Sequence, residues 1–300
     1  MSAGELAPAL RTEGLTKRFG DVLALDGLDL TVERGEVFGF LGPNGAGKTT
    51  TIRLLLHLIR PTAGRAWVMG VPVEDVVRAH RHLGYVCGDV ALWPQLTGRE
   101  VLHLLGSLSG SVDTAYRDEL LERLDLDPSR RIRTLSKGNR QKVALVAALM
   151  HRPDVLLLDE PTAGLDPLKE AEFQQIVREA AARGQTVFLS SHILDEVEDV
   201  CSRVAILREG RLVETSTLDA LRQKGVTVFE VAFEGPAPSF AEVPGVMSEQ
   251  QVDGAVRLSV SGSPQPLLTA LAGYPVVALR TREPDLEEVF LSYYGVPDRR

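Results

Sequence analysis

Cysteine is scarce in this chain. The two present, Cys87 and Cys201, stand alone and form no C-x-x-C pair. They imply no disulfide framework and read as small apolar side chains in a reduced protein. Long apolar runs are missing as well. None approaches the ~18–20 residues that a membrane span needs, so a membrane role is expected to come through a partner. Met1-Ser2-Ala3-Gly4-Glu5 lacks a basic start and an apolar core, so no secretion signal is expected. Positive charge is in deficit: 33 Lys and Arg face 41 Asp and Glu, a net charge of −8. That balance argues against nucleic acid as the partner. No internal repeat or sustained heptad pattern is visible. The rest, 44% hydrophobic and 25% charged over 300 residues, is ordinary for a globular protein with one large domain and a small one.

Against that background one stretch stands out. Gly42-Pro43-Asn44-Gly45-Ala46-Gly47-Lys48-Thr49-Thr50 fits the phosphate-binding pattern G-x-x-x-x-G-K-[ST]. Its context is the required one. Val37–Leu41 is an apolar run that reads as a buried strand, and Thr50 to Leu56 reads as a helix start. Glycines let backbone N–H groups approach phosphate oxygens, and the helix N-terminus adds partial positive charge. Lys48 is expected at the β- and γ-phosphates and the Thr49 hydroxyl on Mg²⁺.

The remaining elements follow from periodicity and turn signals. Residues 1–8 read as a loose tail. Strands are expected at 10–15, 28–32, 65–69, 83–87, 155–158, 186–189, 204–207 and 212–214, the last two joined by a Glu209-Gly210 hairpin turn. From Thr97 to about Leu149 the pattern is helical. Thr97 and Glu100 fit a capping box, and Val101, Leu104, Leu105 and Leu108 fall on one face. Thr114 to Leu124 is the next helix, closed by Pro128. Helices are also expected at 168–182 and 193–200. Strands alternating with helices predict a mainly parallel α/β sheet. After Gly225 the character changes. Strands at 226–233, 255–260 and 276–280, with helices at 267–271 and 285–294 (the last capped by Asp285), predict a small α+β accessory domain.

Four further stretches sit at useful distances from the phosphate loop. Asp159-Glu160 ends an apolar strand, on the side where ligands of parallel sheets bind. Asp159 is suited to hold Mg²⁺ through water, and Glu160 to polarise an attacking water. Leu135-Ser136-Lys137-Gly138-Asn139 opens a helix with Ser136 as its natural N-cap. Gly164-Leu165-Asp166-Pro167 is a turn before a helix. Ser190-Ser191-His192 ends a neighbouring strand, from which His192 could reach a γ-phosphate. In this order the motifs resemble the nucleotide-binding subunit of an ATP-binding cassette (ABC) transporter, over residues ~9–224. The ending Asp285-Leu286-Glu287-Glu288-Val289-Phe290 is similar to the tail of bacterial drug- and antibiotic-exporter subunits of the daunorubicin-resistance type.

The resemblance implies a RecA-like core within a 9–225 ATP-binding domain, a helical subdomain at about 89–150 and an accessory domain at 226–300. It also implies ATP and Mg²⁺ as ligands, a second copy of the chain, a separate membrane permease, and a peripheral place on the cytoplasmic face of the membrane. Phe19 matches the adenine-stacking aromatic, with a turn aromatic as the alternative. Ser136 and Gly138 would contact the γ-phosphate bound to the other copy, Asp166 would organise the interface, and His192 would hold Glu160 and the water. Two departures matter. The signature reads Ser-Lys-Gly-Asn-Arg where the family has Ser-Gly-Gly-Gln, and Gly88 falls where the family has a glutamine; Asp89 and Gln95 are weak substitutes. Slower or more partner-dependent hydrolysis is expected. Ala91-Leu92-Trp93-Pro94 either lines a groove for a permease helix or packs within its own lobe. Two other readings stay open: an ABC ATPase acting on ribosomes or DNA, and a subunit that binds ATP but barely turns it over.

Overall fold

The structure is a computed structural model that describes residues 6–110, 112–224, 226–235, 237–252 and 255–282. The chain divides into two compact units, one ending at Thr215 and the other beginning at Ser216.

The first unit opens with β1 (Leu10–Phe19), β2 (Val22–Val32), β3 (Val37–Leu41), α1 (Lys48–Leu55), β4 (Ala63–Val68), β5 (Val71–Pro72), α2 (Val76–His80) and β6 (Leu83–Val86). A helical stretch follows: α3 (Gly98–Ser109), α4 (Thr114–Arg123), a 3-10 turn (Ile132–Thr134) and α5 (Lys137–Leu149). The chain then returns through β7 (Val155–Asp159), α6 (Pro167–Ala182), β8 (Thr186–Ser191), α7 (Asp195–Glu198), β9 (Arg203–Arg208) and β10 (Arg211–Thr217).

These strands make two sheets. A six-stranded sheet runs β10-β9-β3-β8-β7-β6, and the pairings of β3 with β8 and β9, of β7 with β8, and of β6 with β7 are all parallel. Every residue of β3, β7 and β8 is buried, which is why each holds an apolar run, at 37–41, 155–158 and 187–189; a parallel sheet is covered on both faces. Phe188 on β8 stacks on Phe38 and meets Phe40 at a tilt, at centroid distances of 6.0 and 5.1 Å. The second sheet, β2-β1-β4-β5, is antiparallel. Its strands alternate buried and exposed positions, with Leu28, Leu30 and Val32 turned to the core and their neighbours to solvent. That pairing was not legible in the sequence.

Three expectations are revised in detail. The buried face of α3 is Gly98, Val101, Leu102 and Gly106, whereas Leu104 and Leu108 are exposed. Gly106 lets Val112 and Met150 approach the helix, which rotates that face inward. Second, α4 stops at its C-cap Leu124 because Asp125 turns left-handed at φ 49, before Pro128 is reached. Third, the 193–200 helix shrinks to α7, four residues long.

The second unit holds α8 (Leu218–Lys224), β11 (Val226–Phe233), β12 (Val246–Val252), β13 (Ala255–Ser261), α9 (Gln265–Leu271) and β14 (Val276–Arg282). The strands form an antiparallel sheet in the order β12-β13-β11-β14. Phe229, Val231, Phe240, Val256, Leu258, Val260, Leu267 and Leu271 make its separate core. The expected helix at 285–294, with its exporter-like ending, lies outside the described residues.

Candidate nucleotide site

The phosphate loop leaves the carboxyl end of β3 and runs into α1. Its crest, Pro43, Asn44 and Gly45, is exposed, while Gly42, Ala46, Gly47 and Lys48 are buried. Gly47 is obligatory here: its φ is +111, and a Cβ would stand 2.7 Å from the Ala24 carbonyl oxygen on β2. Ala46 N–H closes the loop onto Pro43 O at 3.1 Å, and Thr51 Oγ1 donates back to Gly47 O at 3.0 Å. Thr50 follows Thr49 in the first turn of α1, half-buried.

Lys48 curls under its own loop and donates to Gly42 O at 2.6 Å and Pro43 O at 3.3 Å. Its ammonium lies 3.8 Å from Glu160 Oε1. Burial holds its pKa below the usual lysine value, and the Glu160 and Asp159 charges partly restore it. Thr49 Oγ1 donates to Asp159 Oδ2 at 2.8 Å, and Ser190 Oγ donates to Asp159 Oδ1 at 2.5 Å. Asp159, only 3% exposed, therefore has a hydroxyl on each oxygen.

Glu160 follows in a left-handed conformation, φ 47, with its N–H on Ser190 O at 3.0 Å. A glutamate held there is strained, and such strain gathers at functional sites. His192 Nδ1 lies 3.0 Å from Glu160 Oε1, a donor–acceptor pair when Nδ1 carries the proton. Thus Lys48, Thr49, Asp159, Glu160 and His192, drawn from three separate stretches, converge.

The other candidates stand nearby in the fold or serve it locally. Phe19 is half exposed at the β1–β2 turn, with Lys17 Nζ 4.7 Å from its ring centroid. Ser136 caps α5 by accepting from Asn139 N at 3.2 Å, and Asp166 caps α6 by accepting from Lys169 N at 3.1 Å. Gly138 is required within its own chain, since a Cβ there would sit 2.2 Å from Gly164 O. Gly88 lies against the acidic pair: a Cβ at that position would be 3.3 Å from Asp159 O and 3.6 Å from Glu160 Cβ. Cys201 is buried, as expected, and Cys87 half-buried; burial raises both thiol pKa values. Burial also raises Tyr85, on the strand beside β7, to about 12, with the Cys87 and Asp159 charges adding to it.

Three contacts carry no motif signal of their own. Gln141, buried on α5, donates to Pro161 O at 2.9 Å. Glu196, on α7, accepts from Thr162 Oγ1 and from Ser191 Oγ, each at 2.5 Å.

Fold and site together define a nucleotide-binding protein of the phosphate-loop class. The model of the family described as "ABC transporter" matches residues 25–163. The Daunorubicin resistance ATP-binding protein DrrA3 of Streptomyces coeruleorubidus is 39% identical over 97% of each chain. The Nod factor export ATP-binding protein I of Burkholderia lata is 36% identical over 93% of this chain and 94% of its own. A solved dimeric ATP-binding cassette in a post-hydrolysis state with ADP and Pi superposes with a TM-score of 0.62 at 25% identity, over 70% of this chain and 98% of its own. The chain belongs to the ABC transporter family, as an ATP-binding subunit with ATPase activity.

Proposed function

We propose that this chain powers export of a drug-like or otherwise hydrophobic compound through a separate membrane permease, to which it binds peripherally on the cytoplasmic face. The observation that carries the catalytic part is the Lys48–Glu160–His192 chain beside the Thr49–Asp159 pair. Lys48 would leave its loop carbonyls for the β- and γ-phosphates and Phe19 would stack on adenine. Glu160 would polarise the water that attacks the γ-phosphorus in line, while His192 fixes the carboxylate and senses the phosphate.

The donor set fits Mg²⁺. Thr49 Oγ1 and the Asp159 carboxylate are hard oxygens already 2.8 Å apart, as that ion prefers. Held by Thr49 and Asp159, that ion would supply charge neutralisation at the phosphates. Ser136, Gly138 and Asp166 would complete the site on a second copy, so that two ATP molecules lie between two chains, and hydrolysis would release binding energy to part them. The exporter assignment draws on the relatives' functions, daunorubicin resistance and Nod factor export. Residues 226–300 are taken as an accessory domain. Trp93, 49% exposed beside half-buried Leu92, is suited to grip a permease helix.

Gly88 favours a second reading, a subunit with weak turnover; Glu160 and His192, both in place, oppose it. The test is the mass in solution of Glu160→Gln. With Mg-ATP it should be a dimer and with Mg-ADP a monomer. A monomer in both, with ATP bound, would mean that the Ser136 half-site does not close unaided.

A further inference from the structure

Glu160 and His192 sit on two segments that follow neighbouring parallel strands paired as far as Asp159 and Ser190, and beyond that ladder they meet through one Nδ1–Oε1 approach of 3.0 Å and the Glu160 N–H bond to Ser190 O, also 3.0 Å. Glu196 bridges the same two segments from outside. Its Oε1 accepts from Thr162, two residues after Glu160, and its Oε2 from Ser191, immediately before His192. Thr162 is 8% exposed and Ser191 is fully buried, and hydroxyl-to-carboxylate bonds of this kind are short and strong. Ser191 Oγ in turn accepts from Ile193 N at 2.9 Å, so both sides of His192 are fastened. The neighbouring residue Val197 is fully buried and anchors α7.

We propose that Glu196 is a positioning residue for hydrolysis, an assignment that rests on the roles of Glu160 and His192. By holding Thr162 and Ser191 at once, it makes the turn after Glu160 and the segment carrying His192 move as one body. That body extends further. Gln141 ties Pro161 to α5, and Gly138 packs on Gly164. A shift of His192 on its own phosphate is thereby carried to the Ser136 end of α5, the half-site offered to the other copy.

Steady-state ATP hydrolysis by the full chain tests this. In Glu196→Ala, kcat should fall about tenfold or more with KM for ATP within about twofold, the signature of a group that acts only in the transition state. Glu196→Gln keeps an acceptor oxygen and an amide able to donate to a hydroxyl, and should restore kcat to within about threefold of the parent. Thr162→Val with Ser191→Ala should lower kcat as far as Glu196→Ala and be insensitive to adding it. That pair also serves if Glu196→Ala fails to fold. Glu160→Gln is run alongside. If it abolishes turnover while Glu196→Ala and the hydroxyl pair stay within about twofold of the parent, the coupling role is overturned. A loss that appears as raised KM with a lowered unfolding temperature, not rescued by Glu196→Gln, overturns it too. Turnover unaffected by Glu160→Gln sinks the site reading itself, and the role of Glu196 with it.

Discussion

Gly88 sits where a side chain would lean directly on Asp159 and Glu160, the acids proposed to serve hydrolysis. Its Cβ would approach Asp159 O at 3.3 Å, a tight contact with backbone, and Glu160 Cβ at 3.6 Å, an ordinary one. The end of β7 must give by a few tenths of an ångström to admit any side chain, and that is a small demand. Asp89 and Gln95, the alternatives weighed from the sequence, are both exposed. An amide placed at 88 would reach the phosphate side of Glu160 and orient water there. Gly88→Gln is therefore expected to raise kcat for ATP by about threefold or more with little change in unfolding temperature. Unchanged turnover would show that Thr49, Asp159 and His192 suffice. At this scale the phosphate loop, Asp159, Glu160 and His192 were legible, because phosphate chemistry fixes residue types at short spacings. Glu196 and Gln141 were not. The bonds of Glu196 to Thr162 and of Gln141 to Pro161 span 34 and 20 residues of chain, and an acid or amide on a helix has no local pattern that distinguishes it from a solvated one.

Among the elements, α4 and α6 share a guanidinium that bonds to acids on both. Arg123, at the end of α4, donates through Nε to Glu172 and through Nη1 to Glu179, both at 2.6 Å, and reaches Glu119 at 3.3 Å. Lys169 Nζ closes the same corner on Arg123 O at 3.0 Å. Arg123 bonds hold the Glu179 carboxyl below its usual value of 4.5. A carboxyl with a depressed folded pKa stabilises the protein above its unfolded value, and that contribution drains away as pH falls through the folded one. Arg123→Ala should cost about 1–2 kcal/mol near neutral pH, after allowance for partial solvent screening. The difference from the parent should shrink below pH 4.5, as followed by urea melts across that range. Elements were legible where one local cause fixes them. The buried strands β3, β7 and β8 announce themselves as apolar runs, and the capping box of Thr97 and Glu100 starts α3 as expected. The sequence of β12, Met-Ser-Glu-Gln-Gln between two valines, has no strand pattern; pairing with β13 makes it a strand at the sheet edge. The exposed Leu104 and Leu108 mislead for the converse reason, since close packing at Gly106, rather than leucine spacing, fixes the inward face of α3.

At the scale of the molecule, each of the two units holds an apolar core of its own among the described residues. The core around Phe38, Phe40 and Phe188 draws its residues from Ala9 to Leu207, with Leu212 packed against it, whereas the other draws only on Phe229 to Leu271. Each unit therefore buries its own apolar surface, and that is the condition for a domain to fold alone. Every residue placed at the nucleotide lies before Ser216, where the second unit begins. The dimeric cassette that superposes on this chain is matched almost end to end by 70% of it, so a dimer of that kind needs nothing corresponding to the remainder. A chain ending at Thr217, which keeps β10 whole, should thus fold with a cooperative melt and bind ATP within about threefold of the full chain's Kd. In the Glu160→Gln background it should still dimerise on Mg-ATP. Retained binding with lost dimerisation would move the 218–300 segment from an accessory role to the dimer contact itself. Loss of both would mean that the first unit draws stability from the second, despite its separate core. Full retention leaves regulation and permease docking as the work of the second unit, to be read from transport rather than from hydrolysis.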